Sequence, residues 1–233
     1  MRALLLAAGY GTRLRPLTDS TPKCLVPIRG RPLLEYWLEL LLKSEIQSVL
    51  VNTHYLAEKV SQFINASRWK NQVTLVHEDQ LLGTGGTVLR NRAFFRNSPF
   101  AVAHADNLTR FDVSAFISRH ANRPPGAVIT MMTFTTDAPE SCGIVVEDKA
   151  GIVREFHEKV LRPPGNRANA AVYIFEPEVV KFLESLGKPV IDLSTEVIPR
   201  YLGKICTYFN AGYHRDIGSP ESLRAAEREF PAS

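Results

Sequence analysis

The chain has 233 residues, of which 45% are hydrophobic and 22% charged, so it carries enough apolar material for one large globular core. Its net charge of +4 comes from scattered basic residues, whereas nucleic-acid-binding proteins usually gather them in a run or on one helix face. The cysteines, at positions 24, 142 and 206, lack the spacing of a disulfide framework or a zinc site. The N-terminal apolar run is too short for a membrane helix. We therefore expect a cytoplasmic protein, a monomer or homodimer, that binds phosphate-bearing small molecules and neither nucleic acid nor membrane.

Strand-like and helix-like segments alternate through the first half of the chain. Each apolar run that predicts a strand is followed by a segment of helical period. This alternation is typical of a mostly parallel sheet covered by helices. In chain order the predicted strands and helices are Ala3–Ala8, then Leu33–Leu42; Ser48–Thr53, then Ala57–Ile64; Val73–His77, then Thr87–Arg92; and Phe100–Ala105, then Val113–His120.

The second half has a different texture, beginning after Arg123-Pro-Pro-Gly126. Shorter strand-like runs are separated by turn residues, which predicts an extension of the same sheet with an antiparallel part. The predicted strands are Ala127–Phe134, Gly143–Glu147, Ile152–Glu158, Ala171–Phe175 and Ile205–Asn210, and the predicted helices are Pro177–Leu186, Ser194–Tyr201 and Pro220–Phe230.

A glycine-rich loop follows the first predicted strand. It runs from Leu6 to Lys23 with the sequence Leu-Ala-Ala-Gly-Tyr-Gly-Thr-Arg-Leu-Arg-Pro-Leu-Thr-Asp-Ser-Thr-Pro-Lys. Gly9 and Gly11 allow the backbone to approach a phosphate closely and to direct amide N–H groups at it, while Arg13 and Lys23 add positive charge. The loop therefore predicts a phosphate-binding site.

Two familiar phosphate-binding patterns do not fit this loop. A dinucleotide-binding fingerprint requires a third glycine where this chain has Leu14, and an acidic residue after the second strand, where it has Asn52. A Walker A loop requires Gly-Lys-Ser/Thr at its end, and the sequence has no such triplet there. The phosphate-binding loop is therefore of another type.

Taken whole, the loop resembles the signature of the sugar-1-phosphate nucleotidyltransferase family, in which a strand leads into G-x-G-T-R, a proline-containing stretch and P-K. The matching residues are Gly9-Tyr-Gly-Thr-Arg13 and Pro22-Lys23, followed by Leu25-Val-Pro27. The resemblance implies a Rossmann-like, glycosyltransferase-A-like α/β fold. Such a fold has a mostly parallel mixed sheet with helices on both faces, here as a single domain over residues 1–233.

Further segments resemble other motifs of the family, in the family's order. They look like the glycine-rich segment beneath the nucleoside, the first metal-binding acid, the F-x-E-K and N-x-G-x-Y segments around the sugar phosphate, a further sugar contact and D-I-G-T-P. In this chain they are Leu82-Gly-Thr-Gly-Gly86, Ala105-Asp106, Phe156-His-Glu-Lys159, Asn169-Ala-Ala-Val-Tyr173, Ser194-Thr-Glu196 and Asp216-Ile-Gly-Ser-Pro220.

The resemblance implies roles for individual residues. Arg13 and Lys23 are the implied catalytic residues, and Asp106 and Asp216 the implied ligands of a Mg²⁺ ion that takes its other oxygens from a triphosphate. The implied nucleotide-binding residues are Leu6, Ala7, Ala8, Gly9, Gly11, Thr12, Glu78, Gly83, Thr84 and Gly85; the implied sugar-phosphate-binding residues are Gly143, Glu158, Lys159, Asn169 and Glu196.

Simpler interpretations of several residues stay open. An aspartate after a strand often caps a turn, a Glu158-Lys159 pair can be an ordinary surface ion pair, and Glu78 can be a solvated strand end. The chain also departs from the family pattern. Ala105 and Ala171 stand where the family has glycine, and Cys142 stands before Gly143 where the family often has tyrosine.

The family reaction is attack by a sugar-phosphate oxygen on the α-phosphorus of a nucleoside triphosphate, with loss of pyrophosphate. The attacking phosphate is already largely ionised near pH 7, because its second pKa is about 6, so the reaction requires no general base. Positioning and charge neutralisation must then supply the catalysis. A non-catalytic, nucleotide-sugar-binding regulatory subunit is the alternative from a different functional class.

The segment His77-Glu-Asp-Gln-Leu-Leu-Gly-Thr-Gly-Gly86 resembles the guanylyltransferase branch of the family. That resemblance implies GTP as donor, with mannose-1-phosphate or a manno-heptose-1-phosphate as acceptor. Guanine presents N–H donors that a carboxylate such as Glu78 can accept. A uridylyl- or thymidylyltransferase acting on glucose-1-phosphate or an N-acetylated sugar-1-phosphate is the alternative.

Overall fold

The structure, a computed structural model, describes residues 1–231, so residues 232 and 233 of the predicted domain lie outside the described residues. The fold is α/β with a mixed β-sheet, which confirms the fold class expected from the sequence. Two compact units make up the chain. The first comprises Met1–Leu81, Ala103–Phe111 and the segment from Gly212 onward, and the second comprises Leu82–Val102 and Asp112–Ala211. The single-domain interpretation stays a prediction.

Thirteen strands and seven α-helices are found in the described residues. The strands are β1 (Arg2–Leu6), β2 (Pro27–Ile28), β3 (Arg31–Pro32), β4 (Ser48–Thr53), β5 (Val73–His77), β6 (Phe100–His104), β7 (Asn107–Thr109), β8 (Ile129–Thr135), β9 (Gly143–Glu147), β10 (Val153–Glu158), β11 (Arg167–Phe175), β12 (Ile205–Phe209) and β13 (His214–Asp216). The helices are α1 (Leu17–Ser20), α2 (Leu33–Leu42), α3 (Ala57–Ala66), α4 (Gly83–Arg90), α5 (Val113–Ala121), α6 (Pro177–Ser185) and α7 (Pro220–Glu229). Over residues 1–231, no helix has the length and apolar character needed to cross a membrane.

Parallel strands form the sheet of the first unit. β1 pairs with β4 and β4 pairs with β5, all in the same direction, so their carboxyl ends lie at one edge of the sheet. Leu4, Leu5 and Val51 are fully buried, because both faces of a parallel sheet are normally covered. Ligand-binding residues are usually found at the carboxyl edge of such a sheet.

Helix α2 forms because its apolar residues recur at helical spacing. Leu33, Leu34, Trp37, Leu38 and Leu41 are all buried, which gives the helix one apolar face. The helix begins directly after a proline, whose fixed φ and missing N–H suit a helix start. One apolar cluster of this unit contains buried residues from the beginning, middle and end of the sequence: Leu14, Val26, Ile28, Leu33, Leu108, Ile217, Ala226 and Phe230.

Antiparallel pairing dominates the second unit, as expected for the later part of the sequence. β11 pairs antiparallel with β8 and with β9, and β9 pairs antiparallel with β10. β12 runs parallel to β8. A register shift between Asn169 and Tyr173 bends β11 where it carries candidate site residues.

Three predicted elements differ from the structure in type or by more than two residues at one end. Helix α4 begins at Gly83 rather than at Thr87, since the glycine-rich segment is itself helical. The predicted strand Ala171–Phe175 is the second half of β11, which begins at Arg167.

The predicted helix Ser194–Tyr201 was wrong as an α-helix. It is a π-helical turn, Leu193–Val197, followed by a 3₁₀ turn, Ile198–Tyr201. Pro199 lies at the start of the second turn and has no N–H for an α-helical hydrogen bond, which explains the break.

Candidate functional site

The glycine-rich loop folds back on the residues that follow it. Gly11 has a left-handed backbone, with φ of +66°, and a Cβ added there would lie 3.0 Å from carbon atoms of both Lys23 and Thr18. The hydroxyl of Thr18 donates to the carbonyl oxygen of Gly11 over 2.8 Å. Only glycine satisfies both the conformation and the close approach, and the packing holds Lys23 against the loop.

Strand pairing brings the two predicted metal ligands together. Asp106 follows β6 after one residue, and Asp216 is the last residue of β13. β13 pairs antiparallel with β7 so that Asp216 lies opposite Asn107, the neighbour of Asp106. The N–H of Ile217 also donates to the carbonyl oxygen of Asp106, over 3.0 Å. The two carboxylates are therefore neighbours although they are distant in sequence.

Both carboxylates contact the ammonium group of Lys23. Its Nζ lies 2.6 Å from Asp106 Oδ2 and 3.4 Å from Asp216 Oδ1. Arg13 lies 3.6 Å from the other oxygen of Asp216. The Lys23 side chain is only 9% exposed, whereas Asp106 is 37%, Asp216 54% and Arg13 71% exposed. The structure therefore groups four of the predicted residues, and three of them remain accessible to a ligand.

Gly218, two residues after Asp216, lies too close to the Arg13–Asp216 ion pair to carry a side chain. A Cβ at this position would lie 2.5 Å from Asp216 Oδ2 and 2.6 Å from a guanidinium nitrogen of Arg13. Any side chain would separate this ion pair. The glycine of the D-I-G segment is therefore a steric requirement of the charged cluster.

The electrostatics of the cluster favour an ionised Asp106. Burial by itself opposes ionisation, but the Lys23 ammonium, with smaller help from His104, lowers the pKa of Asp106 below its usual value. Asp106 is therefore a charged acceptor at neutral pH, as a metal ligand must be.

The donor set fits a hard divalent cation that also binds a ligand. Residues 1–231 hold no group of three or more His, Cys, Asp or Glu side chains that could bind a metal alone. Carboxylate oxygens of Asp106 and Asp216 lie 2.6 Å and 3.4 Å from one point, which the Lys23 nitrogen occupies in the structure. Mg²⁺ is commonly bound by one or two carboxylates together with phosphate oxygens. The predicted Mg²⁺ is compatible with this arrangement and stays a prediction.

Glu78, the predicted base-contacting residue, is not a solvated strand end, because it is only 1% exposed. It follows β5 directly and accepts a hydrogen bond from the side-chain amide of Asn52 over 3.1 Å. Asn52 in turn accepts from the N–H of Ala7 over 2.7 Å. Asn52 was not among the predicted site residues. Its signal in the sequence was a carboxamide within the otherwise apolar run of β4.

The glycines of Leu82-Gly-Thr-Gly-Gly86 pack against a neighbouring segment of the second unit. A Cβ on Gly83 would lie 2.5 Å from the carbonyl oxygen of Ile191, and a Cβ on Gly86 2.1 Å from that of Pro189. The N–H of Gly85 donates to Ile191 O over 2.9 Å. These glycines therefore have a packing role, and their nucleotide contacts stay predictions.

Thr84 is also engaged within the second unit. Its hydroxyl oxygen accepts from the N–H of Leu193 over 2.7 Å and lies 3.4 Å from Asp192 Oδ2. The Asp192 side chain caps the π-helical turn by accepting from the N–H of Thr195. Thr84 thus joins the start of α4 to the segment that carries Glu196.

Gly143 and Glu158 lie opposite each other in the β9–β10 pair. A Cβ on Gly143 would lie 2.6 Å from Glu158 Oε2 and 2.5 Å from the ring of Phe156, so the glycine makes room for both side chains. Lys159 Nζ lies 3.5 Å from Glu158 Oε1 and the lysine side chain is 66% exposed. The lysine is therefore available to an anionic ligand.

Asn169 lies at the bend of β11. Its amide nitrogen donates to the hydroxyl of Tyr173 over 2.6 Å, and its amide oxygen accepts from the N–H of Ala171 over 2.9 Å. Ala171 has φ of +54°, a left-handed conformation that favours glycine. The bend explains why the family pattern has glycine here.

Glu196 is held by two groups of its own segment. Lys188 forms an ion pair with it, and the N–H of Asp192 donates to Glu196 Oε1 over 3.0 Å. The hydrogen bond from Lys188, followed by that from the Asp192 backbone, lowers the pKa of Glu196. Glu196 therefore presents an ionised acceptor that suits sugar hydroxyl groups.

Residues 2–233 match the family model described as nucleotidyl transferase. Among curated relatives, a mannose-1-phosphate guanylyltransferase catalytic subunit beta of Drosophila melanogaster is 34% identical over 95% of the chain. A mannose-1-phosphate guanylyltransferase of Mycobacterium tuberculosis is 34% identical over 95% of the chain, and a UTP–glucose-1-phosphate uridylyltransferase of Synechocystis is 33% identical over 86%. The chain spans 60%, 62% and 55% of the lengths of these three relatives.

The fold is also similar to that of a solved protein of comparable length. A crystal structure from Bacillus anthracis, provisionally named a glucose-1-phosphate thymidylyltransferase, superposes with a TM-score of 0.89. The similarity covers 100% of this chain and 97% of the other, at 21% sequence identity. At this identity the comparison establishes the shared fold.

Proposed function

Because the chain belongs to the nucleotidyl transferase family, we propose that it is a sugar-1-phosphate nucleotidyltransferase. The observation that carries the proposal is the convergence of Asp106 and Asp216 on Lys23, which packs against Gly11 of the phosphate loop. Transfer of a nucleotidyl group moves negative charge from the α-phosphate to the leaving pyrophosphate. A cluster of cations and metal-binding carboxylates beside a phosphate loop is suited to that charge movement.

The first unit supplies the groups that bind the triphosphate. The N–H groups of the loop at Gly9 and Gly11 hold phosphate oxygens, and Arg13 and Lys23 neutralise the charge that develops on the α-phosphate and on pyrophosphate. Arg13 is exposed and lies 3.6 Å from Asp216, so its guanidinium is available to a ligand beside the carboxylates. Positioning of this kind lowers the barrier because the reactants need not reorganise.

Asp106 and Asp216 would hold Mg²⁺ together with triphosphate oxygens. The ion would neutralise phosphate charge and make the α-phosphorus more electrophilic. Lys23 compensates both carboxylates in the structure described here, and its positive charge serves the same electrostatic purpose as the ion.

The residues proposed to bind the acceptor belong to the second unit. Lys159 pairs with the phosphate of the sugar-1-phosphate. The amide of Asn169 donates to or accepts from sugar hydroxyl groups, and the carboxylate of Glu196 accepts from them. Glu158 forms a 3.5 Å ion pair with Lys159, and Gly143 leaves room for the Glu158 side chain. The acceptor phosphate is its own nucleophile, already ionised near neutral pH.

GTP is the donor that the relatives and the sequence favour, with mannose-1-phosphate or a manno-heptose-1-phosphate as acceptor. Two of the three relatives described above are mannose-1-phosphate guanylyltransferases. The carboxylate of Glu78 has the chemistry to accept hydrogen bonds from the N–H groups of guanine, and this contact requires it to become more exposed than the 1% seen here. The uridylyltransferase relative supports UTP with glucose-1-phosphate as the second candidate.

The test is pyrophosphate release by the purified protein with Mg²⁺, over a matrix of nucleoside triphosphates and sugar-1-phosphates. The triphosphates are GTP, UTP, dTTP, CTP and ATP, and the acceptors are mannose-, manno-heptose-, glucose- and N-acetylated sugar-1-phosphates. We expect the largest kcat/KM with GTP. A preference of tenfold or more for a pyrimidine triphosphate, about 1.4 kcal/mol of discrimination, would replace the guanine assignment. Binding of nucleotide sugars without pyrophosphate release from any pair would instead support a regulatory subunit.

A further inference from the structure

A chain of hydrogen bonds crosses the carboxyl ends of the three parallel strands of the first unit. It starts at Glu78, directly after β5, passes through Asn52 near the end of β4 and reaches Ala7, directly after β1. The two bonds measure 3.1 Å and 2.7 Å. Glu78 and Asn52 are 1% and 3% exposed, so bulk water does not compete with these bonds. Residue 78 is thereby connected to Ala7, the residue of the phosphate loop that directly follows β1.

The direction of each bond is fixed by the chemistry of the two ends. The backbone N–H of Ala7 can only donate, so the oxygen of the Asn52 amide must face it. The amide NH₂ of Asn52 must then face residue 78, which has to present an acceptor. Glu78 does so as a carboxylate. An aspartate at position 52 would place two carboxylates about 3 Å apart, which is strongly unfavourable when both are ionised.

A second connection joins the same residue to the loop. His54 Nδ1 lies 2.6 Å from the carbonyl oxygen of Glu78, so Nδ1 carries the proton that is donated there. The other ring nitrogen of His54 then accepts from the hydroxyl of Tyr10, 2.8 Å away. Tyr10 lies between Gly9 and Gly11 in the loop. Residue 78 is thus tied to the loop at both Ala7 and Tyr10.

We propose that Asn52 is a positioning residue that holds the phosphate loop in place through this chain, so that triphosphate binding depends on the polarity of the pair at positions 52 and 78. The inference rests on the proposed function in taking the triphosphate as the ligand of the loop. It assigns Asn52 no contact with the substrate. Gly9 and Gly11 give the loop backbone more conformational freedom than other residues would, and the hydrogen bonds at Ala7 and Tyr10 limit that freedom.

The experiment reverses the polarity of the pair. Asn52→Asp alone places a second carboxylate against that of Glu78. In the double variant Asn52→Asp with Glu78→Gln, the new carboxylate at position 52 accepts hydrogen bonds from both the Ala7 N–H and the Gln amide NH₂ at position 78. Glu78→Gln alone keeps an acceptor for Asn52 through the Gln carbonyl. Asn65→Asp is the matched control, because Asn65 is exposed on α3 and bonds only weakly to Ser61 over 3.4 Å.

The readouts are the dissociation constant for inorganic tripolyphosphate by calorimetry, kcat and KM for GTP and for the acceptor, and Tm. Tripolyphosphate has no base, so its binding reports on the loop and not on a base contact at position 78. We expect Asn52→Asp to weaken tripolyphosphate binding and lower kcat/KM for GTP by about tenfold or more, because small displacements of binding groups are costly, with little change in the KM for the acceptor.

In tripolyphosphate affinity, the double variant should return to within about threefold of the unmodified protein, and both Glu78→Gln and Asn65→Asp should match the unmodified protein, since each retains the hydrogen-bond chain. Unchanged tripolyphosphate binding in Asn52→Asp would overturn the proposal. So would a double variant that folds with a normal Tm but binds tripolyphosphate no better than Asn52→Asp. If the unmodified protein binds tripolyphosphate but releases no pyrophosphate, the proposed function fails while the positioning role is still decided by binding.

Discussion

The charged ammonium group of Lys23 is surrounded by other residues of the chain. Its ammonium contacts Asp106 more closely than Asp216, at 2.6 Å and 3.4 Å, and its side chain is almost fully buried. A buried ammonium depends on a partner, because an uncompensated charge of low solvent access is costly. The two aspartates are therefore unequal in what they contribute to the folded chain, although both are predicted to bind Mg²⁺.

Asp106→Asn and Asp216→Asn should each lower kcat by at least about 100-fold, the cost of removing a main electrostatic contact of the transition state. Asp106→Asn should also lower the Tm more than Asp216→Asn, because it removes the shorter ion pair of Lys23 and the less exposed carboxylate. Pyrophosphate release and thermal unfolding measure the two effects separately. Unchanged turnover in either folded variant would remove that residue from the metal site.

Lys159→Ala should raise the KM for the sugar-1-phosphate at least several-fold and leave the KM for the nucleotide nearly unchanged, since the lysine is proposed to contact only the acceptor's phosphate. Its exposed side chain and its 3.5 Å surface ion pair with Glu158 predict little loss of stability. Lys149→Ala, at an exposed turn lysine, is the matched control. A larger effect on the nucleotide KM would move Lys159 to the triphosphate.

At the scale of elements, the glycine-rich start of α4 has both a predicted nucleotide-binding role and an observed packing role. Family resemblance predicted that Leu82-Gly-Thr-Gly-Gly86 is a nucleotide-binding segment, which stays a prediction. The structure adds that its glycines allow backbone contact with Pro189 and Ile191. No spacing rule in a single sequence reveals that contact, because the two segments are about 100 residues apart.

Gly86→Ala should destabilise the fold by about 1–3 kcal/mol, the usual cost of forcing extra atoms into a packed contact, since the new Cβ would lie 2.1 Å from Pro189 O. Urea unfolding measures the change. Gly165→Ala is the control, because a Cβ there meets nothing within 4 Å. Equal stabilities of the two variants would contradict the packing role of Gly86.

Ala171→Gly should stabilise the fold by about 0.5–1 kcal/mol, because the left-handed backbone at φ of +54° is costly for alanine and free of strain for glycine. Ala168→Gly, at a fully buried position of the same strand, should destabilise it, since no positive φ favours glycine there. The comparison by urea unfolding isolates the bend of β11. A destabilised Ala171→Gly variant would show that the bend carries no strain.

At the scale of the whole molecule, the parts predictable from the sequence were those written in local periodicity and in contiguous motifs. The strands β1, β4, β5 and β6 and helix α2 follow from apolar spacing alone. The short strands β7 and β13 do not, because three residues give no period. Yet their pairing is what sets Asp216 beside Asp106.

The sequence predicted which residues form the charged site, but it did not predict the hydrogen bonds that support the neighbouring phosphate loop. Family motifs indicated Arg13, Lys23, Asp106 and Asp216, and the structure brings these four together. Asn52 was weighed only as the missing acid of a dinucleotide fingerprint. Its hydrogen bonds depend on the register of adjacent strands, which a single sequence does not specify.

The β7–β13 pair also has a consequence for synthesis of the protein. Chains leave the ribosome N-terminus first at about 5–20 residues per second, so Lys23 and Asp106 emerge well before Asp216, which is 193 residues after Lys23. During that interval the ammonium can meet only one of its two carboxylates. The second arrives with the strand that closes the pair, and a nascent chain stopped short of β13 lacks it altogether. The carboxylate pair is therefore assembled only after translation has passed position 216, so growing chains shorter than this lack one of the two predicted Mg²⁺ ligands.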